Sequence, residues 1–144
     1  MNGMIIGYNF TKIEANRIRE VSGKVDISSS VKIVSVEEKE IEVLNKQKVL
    51  EIGFEFAVEY RENFGKIEMS GKLLYEGKNM KDVLKLWKKE KKLPESVDLE
   101  VKNFLFKRCL TLAIILADEI RFPSPLPFPV VVPAKKGESE RYIG

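Results

Sequence analysis

Apolar residues alternate one by one up to about residue 76 and then recur at helical spacing from Asn79 onward. This change of period constrains the fold more than any other feature of the chain. The clearest alternation is VLEIGFEFAVEY, Val49 to Tyr60, with Leu50, Ile52, Phe54, Phe56, Val58 and Tyr60 on one face and Glu51, Gly53, Glu55, Ala57 and Glu59 on the other. It predicts a strand with one dry side. After the turn RENFG the next run repeats the pattern, with Ile67, Met69, Leu73 and Tyr75 inward and Lys66, Glu68, Ser70 and Lys72 outward. Together the two runs predict an antiparallel hairpin whose outer faces pair Glu with Lys across strands. Tyr8 to Arg19 and Val21 to Val36 read as two further strands with weaker alternation, and Ile41 to Leu44 either extend or interrupt the second of them.

Beyond Asn79, Met80, Val83, Leu84 and Trp87 fall at i, i+3, i+4 and i+7, which predicts a short amphipathic helix over 79–92 with Asn79 as N-cap. Its other face carries lysine: seven stand between Lys78 and Lys92, against Asp82 and Glu90. They read as a solvated face, with an anionic or nucleic-acid partner as the alternative. After Leu93 and Pro94 a long helix is expected over 96–121, with Asp98 and Glu100 in its first turn, where the helix dipole favours acids. From Phe104 to Ala117 only Lys107, Arg108 and Thr111 interrupt its apolar residues. A helix apolar nearly all round has to be covered nearly all round, and one sheet face covers one side. A second subunit is the economical cover, with Cys109, Leu112, Ile115 and Leu116 as the expected contact.

The segment RFPSPLPFPVVVP, Arg121 to Pro133, holds five of the chain's six prolines. Proline fixes φ, lacks an N–H and biases the preceding residue away from helix, so the stretch is expected to run extended along an apolar surface. Phe122 and Phe128 then either plug the protein's own core or line a groove. The predicted architecture is a single α+β domain: a four-stranded antiparallel sheet (8–76), then the short and the long helix packed on one face, an extended proline-rich segment (122–133) and a mobile tail (134–144).

Composition excludes more chemistry than it suggests. Histidine is absent and Cys109 is the one cysteine, which removes the usual triads, most zinc sites and any internal disulfide. No phosphate-binding glycine loop occurs. Glu51, Glu55 and Glu59 share a strand face, as exposed strand residues do, and Trp87 reads as core. Lys+Arg number 25 against 22 Asp+Glu, a balance too even for a whole-molecule polyanion binder, and the excess of Lys and Glu is that of thermophile proteins. No enzyme activity, metal or cofactor is expected. CLTLAIILA, Cys109 to Ala117, is too short to span a bilayer and the first residues lack the order of a signal peptide, so a cytoplasmic address is expected.

The order of elements, together with RFPSPLPFPVV after the long helix, resembles the SecB-type export chaperones over most of the chain, about Tyr8 to Val132. The resemblance implies a chaperone without nucleotide that holds unfolded polypeptides in long apolar grooves, as a dimer or a dimer of dimers. Phe104, Leu112, Leu116, Phe122, Leu126 and Phe128 would line the groove. The bacterial chaperone docks a translocation ATPase on an acidic sheet surface. This chain departs from that pattern, because its outer face mixes Glu with Lys and its neighbouring helix is basic.

Overall fold

A computed structural model describes residues 3–41 and 47–134. Four strands, β1 (Gly3–Arg17), β2 (Asp26–Ile41), β3 (Gln47–Arg61) and β4 (Gly65–Gly77), precede helices α1 (Met80–Glu90) and α2 (Glu95–Glu119). The strands form one antiparallel sheet in the order β1-β4-β3-β2, so the class expected from the period change is the class observed. β2, β3 and β4 are joined as neighbours while β1 lies beside β4, which is a Greek-key arrangement. The link from β1 to β2 therefore passes beneath the β3–β4 turn. It has to cross three strand spacings, about 14 Å, and residues 18–25 reach that far with slack. The link is fastened on the way: Ile18 N–H donates to the Phe64 carbonyl at 2.7 Å, and the Arg19 guanidinium lies 4.1 Å from the centre of the Phe64 ring and donates to the Glu62 carbonyl.

The dry face is as the alternation required. Leu50, Ile52, Phe54, Phe56, Val58 and Tyr60 are each no more than 1 % exposed, and Ile67, Met69, Leu73 and Tyr75 complete the layer from β4. Burying side chains of this size contributes about 1.5–3 kcal/mol each. The outer face is laced by ion pairs across strands, Lys39 with Glu51 at 2.9 Å, Lys12 with Glu68 at 3.7 Å and Lys72 with Glu51 at 4.0 Å. Gly71 lets β1 and β4 close over Phe54, because a side chain there would strike the Asn9 carbonyl and the Phe54 ring.

Strand limits differ from the sequence reading. β1 runs over 3–17 rather than 8–19, and β2 over 26–41 rather than 21–36. Register shifts between Ile5 and Gly7, between Phe10 and Lys12, and between Ile33 and Ser35 account for the blurred alternation, since each one moves subsequent side chains to the other parity. Ile41 closes β2, and positions 42–44 lie outside the described residues. Asn79 heads α1 in a left-handed conformation, φ 59°, and caps through its carbonyl, which accepts from Asp82 and Val83 N–H, and not through its side chain.

Both helices contribute to the core on the dry face, α1 through Val83 and Trp87. α2 touches all four strands and presents Val101, Leu105, Cys109, Ala113 and Ala117 to the core, five positions spaced by four. The last three are small, which lets the helix settle close to the sheet. Pro123 to Ala134 form neither helix nor strand, and the expected tail beyond Ala134 lies outside the described residues.

Candidate binding groove

α2 ends in a backbone motif that aims the proline-rich segment. Arg121 takes a left-handed conformation, φ 61°, its N–H donates to the Asp118 carbonyl at 3.2 Å, and the Phe122 N–H donates to the Ala117 carbonyl at 2.8 Å. This pair of bonds is a Schellman cap, with arginine where glycine is usual. The cap turns the chain so that the Phe122 ring enters the core, 6 % exposed and 4.2 Å from the Tyr60 ring centre. Gly65 makes room for that ring, which would meet any side chain added there. Tyr60 then fixes the next residue: its hydroxyl donates to the Pro123 carbonyl at 2.6 Å, and burial pushes its pKa up to about 12. Beyond this anchor the segment bends at Ser124, whose Oγ engages Leu126, and runs outward.

The six expected groove residues therefore separate. Phe122 belongs to the protein's own core, the first of the two roles that the sequence left open for it. Leu126 and Phe128 are 49 % and 61 % exposed, and Phe104, Leu112 and Leu116 are half-buried flanks of α2 packed against the core. Of the four expected subunit-contact residues, Cys109 is misplaced: it is fully enclosed by its own chain, and burial raises its thiol to about 12, so it offers neither a contact nor a reactive thiolate. Its position in the spacing of four along α2 is what turns it to the sheet. Ile115, by contrast, is 57 % exposed.

Two hollows lie along the open side of α2, and Ile115 lines both. The first, about 580 Å³, is walled by Tyr8 and Phe10 of β1 and by Phe104, Arg108 and Leu112 of α2. The second, about 400 Å³, lies between Ile114, Ile115, Phe122 and Phe128, with Asp118 and Glu119 at its rim. The aromatic wall of the first is a continuous edge-to-face stack from Phe104 through Tyr8 and Phe10 to Phe54, with centres 5.4 to 6.0 Å apart. The Arg108 guanidinium stands 5.6 Å from the Tyr8 ring centre and 5.8 Å from that of Phe104. The result is an apolar trough with a basic pair on one side of Ile115 and an acidic pair on the other. Tyr8, Phe10 and the carboxylates were not expected here. Tyr8 and Phe10 were hidden by the register shifts of β1, and the only sequence signal of the carboxylates is the presence of two acids in the last turn of a helix.

The premise for a second subunit is altered by this geometry. The sheet covers one side of α2, Phe56 meets Phe106 edge-on at 5.7 Å on one flank, and Tyr8 covers Phe104 on the other. What stays open, apart from Leu99 near the start of the helix, is a strip centred on Ile115. Elsewhere α1 exposes Lys81, Lys85 and Lys88, none with an ion-pair partner among the described residues, and Lys92, just beyond the helix, pairs with Glu90 at 3.5 Å. Among the described residues no helix is long and apolar enough to cross a membrane. No family model, curated protein or solved structure matches the chain.

Proposed function

We propose that this chain is a chaperone-like protein that binds unfolded or partly folded polypeptides in the trough beside α2, in the cytoplasm, without nucleotide or other cofactor, as a homodimer or a dimer of dimers. The observation that carries the reading is that Ile115 lines both hollows, with Phe128 exposed on the wall of the second and Leu126 exposed on the same proline-stiffened segment. Large apolar side chains gathered round an open trough are the feature that a binding site for apolar segments needs. A segment already held extended by its prolines loses little freedom when a client lies against it. The SecB-type resemblance of the sequence points the same way.

Phe128→Ala tests the site. Phe128 is mostly exposed, so truncation should leave the urea midpoint within about 0.5 kcal/mol of wild type while weakening suppression of aggregation of a denatured client. A fall of several kcal/mol with suppression intact would make the segment a structural cover. Light scattering on the purified protein tests the assembly separately. The lysines of α1 support a second reading, an anionic partner, which predicts binding that collapses as salt rises.

A further inference from the structure

The trough has a direction. Lys107 and Arg108 flank its first hollow and Asp118 and Glu119 its second, one pair on each side of Ile115 along α2, and all four are exposed. None of the four forms an ion pair with another described residue, although the sheet face of the same protein is laced with such pairs. The two acids also sit where the helix itself disfavours them. They occupy the last turn of a helix of 25 residues, at the negative end of its dipole, and no basic residue accompanies them there. A local rule broken without compensation inside the fold is expected at a functional position. From residue 107 to residue 118 the helix advances about 16 Å, a distance that an extended chain covers in about five residues.

Resting on the reading of the trough as a polypeptide site, we infer that it takes extended segments with an apolar stretch of about five residues, oriented so that the segment's acidic end meets Lys107 and Arg108 and its basic end meets Asp118 and Glu119. The apolar stretch lies over Ile115 between Tyr8 and Phe128, and the charges at its ends select and orient it. Chain direction is left free, because either terminus can carry the acids.

The test uses the full chain and three fluorescent peptides with the same five apolar residues, ending in Glu-Glu and Lys-Lys, in Glu pairs at both ends, or in Lys pairs at both ends. Measured by anisotropy at low salt, the mixed peptide should bind at least about fivefold tighter than either uniform one. In the double variant Asp118→Lys, Glu119→Lys the order should invert in favour of the peptide acidic at both ends. That variant removes an unfavourable helix-dipole contact, so its melting temperature should equal or exceed wild type, which separates altered selection from unfolding. Equal affinities for the three peptides, or an unchanged order in the variant, overturn the inference. Failure of all three peptides while a denatured client is still captured also overturns it, placing client binding elsewhere. Failure of both peptides and client overturns the proposed function as well. Dissociation of an oligomer by the double variant, with no peptide preference in wild type, overturns it by assigning the trough to a second copy of the chain.

Discussion

Phe122 and Phe128 stand six positions apart in one proline-rich run and have opposite surroundings, 6 % and 61 % exposed. The difference is made by the backbone. Arg121 accepts a left-handed conformation so that the helix can close its last carbonyls, and the closure turns Phe122 into the core beside Tyr60. Phe122→Ala should therefore cost about 3–5 kcal/mol in urea denaturation, the range of a buried aromatic truncated in place. A loss below about 1 kcal/mol would show that the ring is not held there. Tyr60, Tyr75 and Cys109 make a second prediction. Burial raises each to about 12, from ordinary values of 10.0 for the tyrosines and 9.0 for the thiol, and Glu100, which accepts from the Tyr75 hydroxyl, adds to that group's shift. Between the ordinary and the raised value the folded chain keeps protons that the unfolded chain has released. Stability is thus whole below about pH 9 and is lost as pH rises from there through about 12. Thermal melts between about pH 7 and pH 11 should show a plateau followed by a fall, with a smaller fall in Cys109→Ala. A melting temperature flat across that range would contradict the burial of these groups.

At the scale of elements, legibility followed neighbours. β3 lies inside the sheet between β4 and β2, and its alternation was unbroken from Leu50 to Tyr60, so the sequence located its dry face residue by residue. β1 and β2 are the two edges, and they carry all the register shifts. An edge strand can bulge because only one side of it is bonded, and each bulge breaks the period that a sequence reading relies on. Tyr8 and Phe10 consequently joined the trough unannounced. α2 was legible as an element and misleading as a surface. Its run of apolar residues implied cover on every side, yet only Val101, Leu105, Cys109, Ala113 and Ala117 are fully buried, and aromatic neighbours from β1 and β3 close much of both flanks. Periodicity located the helix, but it could not supply the lateral partners, which come from strands far away in sequence. The Schellman cap was equally invisible, since arginine at its left-handed position replaces the glycine that would have announced it.

For the whole molecule the open question is which body lies on the strip at Ile115. In the subunit contact expected from the sequence, Ile115→Asp would put a charge into a dry interface and dissociate or unfold the protein. With Ile115 already 57 % exposed within its own chain, a carboxylate there leaves no charge buried in the fold, and unfolding is no longer expected. Two occupants remain, and they differ in what is lost. If the strip receives a client, the charge lies in the middle of its apolar floor, so capture of a denatured protein should fall at least about tenfold while mass and melting temperature match wild type. If the strip receives a second copy, the same substitution should lower the mass toward the 16.5 kDa of one chain and make the melting temperature depend on protein concentration. The trough argues for the first outcome. A flexible client needs only the length and charge that the trough already offers. Ile115→Asp is therefore expected to leave the assembly intact and abolish capture, and a fall in mass with capture retained would return this face to the subunit contact.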